Sequence, residues 1–101
     1  MHYLGGLRGI GTLTSGDVTV ARANYDFDGY LMKPGQVAVS GEIRMTPKAL
    51  RDVFGRKDLQ LLTDDGRIFS LRFSERRLRS ASDAAHVDVV GELPPVSEWR
   101  H

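Results

Sequence analysis

Residues 37–43 read VAVSGEI, and fifty residues later residues 87–93 read VDVVGEL. Apolar residues and glycine fall on alternate positions: Val37, Val39, Gly41 and Ile43 in the first stretch, Val87, Val89, Gly91 and Leu93 in the second. A period of two puts these on one face of a strand and leaves Ala38, Ser40, Glu42, Asp88 and Glu92 on the other, the pattern of a strand half buried in a sheet. A glycine inside such a run marks a bulge or a close approach of another backbone. The repeated phrase predicts one bent core strand used twice.

The likeness extends outward. At a constant offset of fifty, over 12–43 and 62–93, Gly16 meets Gly66, Arg22 meets Arg72 and Val18 meets Ile68. Before those glycines the register slips by one, Leu13-Thr14 matching Leu62-Thr63. Ser15-Gly16 suits a two-residue hairpin turn, whereas Asp64-Asp65-Gly66 suits a three-residue loop whose glycine takes positive φ. Agreement at glycines and strand positions together points to an internal repeat. Each half reads as a hairpin, a connecting loop and a third strand. IFSLRF at 68–73 sets Phe69, Leu71 and Phe73 on one face, but in its counterpart VTVARA at 18–23 the valines fall on the opposite face. Which face of strand 18–25 is buried stays open unless a bulge intervenes.

Between the halves, TPKALRDVFG (46–55) carries the helix signals: Thr46 as a cap, Pro47 in the first turn, an apolar stripe of Leu50, Val53 and Phe54, and Gly55 as a stop. Two turns are unstable alone, so the stripe must pack on the sheet. The polar stretch 74–85 reads as an exposed loop or a ragged turn. In the tail 94–101, Pro94 and Pro95 oppose strand pairing, and Trp99 either folds back or dangles. The expected fold is mainly β: a small six-stranded barrel or sandwich of two pseudo-symmetric β-β-β halves, with one short helix at about 47–54, in a single domain spanning 1–101.

The 101 residues are enough for one core, and 41% apolar with 27% charged residues fits a folded chain rather than a disordered one. The absence of cysteine excludes disulfides, thiolate nucleophiles and cysteine metal sites, and suits a cytoplasmic setting. The start lacks the pattern of a signal peptide, and no run approaches the length of a membrane helix, so no membrane partner is expected. With a net charge of +1, electrostatic recognition must rest on local patches.

The strongest local patch is RIFSLRFSERRLR (67–79), with five arginines and one glutamate. Arg72 alternates away from Phe69 and Phe73, and Arg76, Arg77 and Arg79 follow in the loop. Planar arginine forks suit phosphate and carboxylate recognition, and rim loops of small oligonucleotide-binding barrels make such contacts. Against this, Asp64, Asp65 and Asp83 are near enough in sequence to neutralise the arginines. NYDFDG (24–29) offers Asn24, Asp26, Asp28 and Gly29 at the first ligand spacings of a calcium loop, but Gly35 stands where its bidentate glutamate belongs and no helix flanks the stretch, so a hairpin end is the plainer reading. His86 is the one histidine away from the termini; a site built with His2 and His101 has no recurring ligand spacing. No serine sits in a nucleophile elbow, and no metal or cofactor is expected. The reading is a non-enzymatic binding module whose arginines Arg72, Arg76, Arg77 and Arg79 contact a nucleic-acid backbone or an acidic protein surface. The alternatives are a structural protein acting through its own oligomer, such as an edge-paired homodimer, and a small enzyme whose site the sequence does not display.

Overall fold

The computed structural model describes residues 2–78, 81–91, 93 and 99. Its strands are β1 (His2–Ser15), β2 (Val18–Lys33), β3 (Gln36–Arg44), β4 (Leu59–Thr63), β5 (Ile68–Phe73) and β6 (Ala84–Val90), with one short helix, α1 (Pro47–Val53), between β3 and β4. All neighbours are antiparallel, and because β4 pairs back onto β1 the order β1-β2-β3-β6-β5-β4 closes into a barrel-like ring. This is the mainly β, six-stranded architecture with one helix that the periodicities predict. No helix among the described residues is long and apolar enough to cross a membrane.

The two copies of the opening phrase lie side by side, Val39 opposite Val89, Gly41 opposite Val87 and Ile43 opposite Ala85. Val39, Ile43, Val87 and Val89 are buried, as their alternation requires. The two glycines part company. A side-chain carbon on Gly41 would lie 2.1 Å from the Asp26 carbonyl oxygen of β2, so no larger residue fits without moving a backbone. Gly91 lies past the end of β6 at φ +79, with open space around it. The first glycine marks a close approach; the second is a turn. The expectation of one bent strand used twice holds for its valines and fails at its last residues.

The connections explain the difference. β2 runs unbroken for 16 residues and turns into β3 through Pro34-Gly35, with Lys33 opposite Gln36. The loop expected in the first half is absent, whereas β5 ends at Phe73 and reaches β6 through 74–83. A fifty-residue copy of the Asn24–Arg44 pairing would set Ser74 against residue 94; its N–H instead donates to the His86 carbonyl, eight residues earlier.

The ambiguous face of β2 is settled by its pairing with β1. Leu13 pairs with Ala21 but Thr14 with Thr19, so Val20 is the extra residue. Ala21, opposite buried Leu13, faces inward with Ala23, Tyr25 and Phe27, whereas Val18, at the hairpin end opposite Ser15, is 67% exposed and Ile68 62%. The inward positions on this stretch are alanines, so hydrophobicity alone points the wrong way. Parity also corrects the one-residue slip: Leu13 is fully buried while Leu62 is 47% exposed. The buried residue preceding each turn is Ser15 in the first half and Thr63 in the second. The first turn is Gly16-Asp17, between paired Ser15 and Val18. Asp64-Asp65-Gly66 forms the expected three-residue loop, closed by Thr63 N–H donating to the Arg67 carbonyl, with Gly66 at φ +94.

α1 is capped as predicted, the Thr46 hydroxyl accepting from the Ala49 N–H at 3.3 Å. Leu50 and Val53 are fully buried, and Phe54 rests on Phe73 with ring centroids 4.8 Å apart. Arg56 and Asp58, just after the helix, hold the Ser15 hydroxyl at 2.9 and 2.8 Å and so tie the helix to the first turn. Trp99 folds back: it is 7% exposed and its ring occupies the space above Gly29, 2.7 Å from where a side-chain carbon would sit. Pro94 and Pro95 lie outside the described residues.

Candidate anion-binding surface

Arg72 stands on the outer wall of β5 opposite Asp88 of β6, and Arg76 and Arg77 are exposed in the connection that follows. Arg79 lies outside the described residues. The phenylalanines are core: Phe69 is 2% exposed and meets Phe27 and Tyr25 edge-on, and Phe73 packs on Phe54. They form no stacking surface beside the arginines.

The start of the connection is fastened to one residue. Ser74 gives its N–H and its hydroxyl to the His86 carbonyl, at 3.1 and 3.0 Å, and its Oγ lies 2.5 Å from His86 Nδ1. The His86 N–H donates to the Glu75 carboxylate at 2.7 Å. These bonds, with half-buried Leu78 packed against the core, hold the root of the loop and leave Arg76 and Arg77 outermost. The serine–histidine contact sits on an exposed surface, and neither of the two clefts described in this section includes it. It works as a latch between two strand ends.

Of the acids near this patch in sequence, Asp64 and Asp83 are engaged elsewhere and Asp65 lies beside Arg67 of the patch itself, while Asp88 stands opposite Arg72. Asp64 takes a two-pronged bond from Arg22 (2.8 and 2.6 Å), which draws its carboxyl below the usual 3.8 and raises the Arg22 pKa. Asp83 accepts from Arg44 at 2.8 Å while Glu42 takes the other prong at 3.0 Å, and together, Asp83 foremost, they raise the Arg44 pKa. Asp65 lies 3.8 Å from Arg67. Among the described residues, Arg72, Arg76 and Arg77 form no ion pair with any of them. All these pairs are solvent-exposed, so each contributes little to stability.

The calcium-like residues do not converge. Asn24, Asp26 and Asp28 are strung along the outer face in the middle of β2, not at a hairpin end, and alternate strand positions are about 6.6 Å apart. Arg8 donates to Asp26 at 3.0 Å and Tyr3 to Asp28 at 2.9 Å, which raises the Tyr3 pKa. Tyr25 and Phe27 do pack beneath them. His2 is exposed on β1, His86 is on the far side of β3, and His101 lies outside the described residues. No metal-binding group of three or more histidines or acids occurs among the described residues.

Among the described residues, two clefts that open to solvent lie near charged side chains. One, of about 410 Å³, lies where β2, β3 and the start of α1 meet and is lined by Ile10, Arg22, Asn24, Arg44, Met45 and Pro47, with Asp83 at its rim. The other, of about 360 Å³, lies by the first turn and the β4–β5 pair, between Asp17, Lys57 and Ser70. Sequence reasoning missed the first because its residues come from four segments. The one sequence-level hint was that Arg22 is the counterpart of Arg72.

Comparison with protein-family models, with curated proteins and with solved structures yields no match for this chain.

Proposed function

We propose that the chain is a non-enzymatic binding module whose arginine loop contacts an anionic partner through Arg72, Arg76 and Arg77, with Arg79 of the same stretch as a fourth contact. The observation that supports this most is the partnering of the nearby acids. Asp64, Asp65 and Asp83 are committed to Arg22, Arg67 and Arg44, and the loop arginines stand on the surface without an ion pair among the described residues. An arginine fork free in this way can donate two parallel hydrogen bonds to a phosphate or carboxylate. The partner is a nucleic-acid backbone in the leading reading and an acidic protein surface in the second. Salt separates them. Phosphate binding to duplex DNA weakens by about 0.9 log units per contact for each tenfold rise in salt, with about 0.7 for single strands. A protein partner gives a shallower dependence and relies on apolar anchors.

A structural role through self-association has its own observation. Residues 2–9 of β1 pair with β2 alone among the described residues, since β4 joins β1 at Gly11. An open strand edge of this length can pair with another chain. Light scattering tests it: a monomeric mass at high concentration counts against self-association, and a dimer lost on placing proline at Leu7 supports it.

A further inference from the structure

The cleft beside Asn24 adjoins the arginine connection directly, because Asp83, the last residue of that connection, stands on its rim and holds Arg44. Across the outer wall, Ile10, Asn24 and Arg44 sit in one row, each opposite the next, and Arg22 is two positions along the same face of β2. The cleft therefore has an apolar floor of Ile10, Met45 and Pro47 with two guanidinium groups beside it.

The terminal nitrogens of both guanidinium groups are already engaged, and their carboxylate partners repel a second anion. Both prongs of Arg22 are held by Asp64, and Thr12 accepts from one of them; the two prongs of Arg44 are split between Asp83 and Glu42. The in-plane pairing orients each planar group and leaves its flat face uncommitted, with the side chain about half exposed, 57% for Arg22 and 51% for Arg44. A fixed guanidinium plane stacks on a flat ring. The Asn24 side-chain amide has no partner among the described residues, and it carries both a donor and an acceptor able to read the edge of such a ring.

We propose that this cleft receives one unstacked base of a single-stranded nucleic acid, with Arg22 and Arg44 as stacking surfaces and Asn24 hydrogen-bonded to the base edge, while the strand's phosphates pass along Arg76 and Arg77. The inference rests on the arginine-loop reading and narrows it: a duplex keeps its bases stacked and cannot offer one to a wall cleft, whereas a single strand can. The carboxylates around the cleft oppose a phosphate entering it and do not oppose a neutral base.

The test compares a labelled oligothymidylate with an abasic strand of equal length and charge, by fluorescence anisotropy over a salt series, for the native chain and Asn24→Ala. Asn24 is exposed, so the substitution leaves the core intact, which circular dichroism checks. The expected result is tighter binding of the thymidylate by about tenfold, the scale of one stacked base. In Asn24→Ala the gap narrows by the loss of the base-edge hydrogen bond while the salt slope stays unchanged, and a gap that the substitution leaves whole overturns the placing of the base at Asn24. Equal, salt-sensitive binding of the two strands overturns the cleft assignment and leaves the arginine loop standing. Binding of neither strand at low salt overturns both.

Discussion

Two glycines that occupy the same place in a repeated phrase answer to different physics. Gly41 is required by space and Gly91 by backbone conformation. Gly41→Ala is expected to destabilise the chain by about 3 kcal/mol or more, at the upper end of what overpacking costs. Gly91→Ala is expected to cost about 1 kcal/mol, the strain of a left-handed alanine. Chemical denaturation of the two variants measures both, and equal losses would contradict the close approach at Gly41. Asp64 makes a prediction about pH. Its carboxyl is depressed by the Arg22 hydrogen bond, so its contribution is present above the ordinary value of 3.8 and lost as pH falls through the lower folded value. The stability gap between the native chain and Asp64→Asn, small because both partners are exposed, should therefore close in acid; a gap that widens there would contradict the pairing. Residue-level reading of the sequence succeeded where apolar side chains mark the inside, as at Val39 and Val87. It failed at Val18 and Ala21, where the valine at the hairpin end is exposed and the alanine opposite Leu13 faces inward.

Local signals were enough to place elements wherever chemistry punctuates the chain. Thr46, Pro47 and Gly55 bounded α1, and Asp64-Asp65-Gly66 gave the β4–β5 loop. Length was legible only in part. NYDFDG looks like a turn because asparagine and aspartate favour turns, yet alternation of Asn24, Asp26 and Asp28 outside with Tyr25 and Phe27 inside carries β2 straight through it. Calcium should accordingly leave the near-ultraviolet signals of Tyr25 and Tyr30 unchanged up to millimolar concentrations, and a saturable change would contradict the strand. Trp99 tests the other element that the sequence left undecided. Buried above Gly29, it should emit at short wavelength and resist acrylamide, and Trp99→Ala should cost about 3 kcal/mol through lost packing. A solvent-like emission spectrum would contradict that placement.

At the scale of the molecule, the ring order reads the same when β1-β2-β3 is exchanged for β4-β5-β6, although the connections of the two halves differ. The first half has a two-residue turn between its second and third strands; the second half has 74–83, which carries Arg76 and Arg77. The patch was legible as a charge excess over 67–79, because arginines close in sequence stay close on a short loop. Its consequence was not, because the fate of Asp64 and Asp83 depends on Arg22 and Arg44, about forty positions away. The cleft beside Asn24 was illegible for the same reason: sequence periodicity reports faces, and a cleft is made where faces of separate strands meet. In our proposal the arginine loop binds an anionic partner, nucleic acid first. It is tested most directly by titrating labelled single-stranded DNA and RNA over a salt series with the native chain and with the combined substitutions Arg76→Ala, Arg77→Ala and Arg79→Ala. The account predicts binding that weakens steeply with salt and is lost in the variant; binding that the three substitutions leave untouched, or none at low salt, would contradict it.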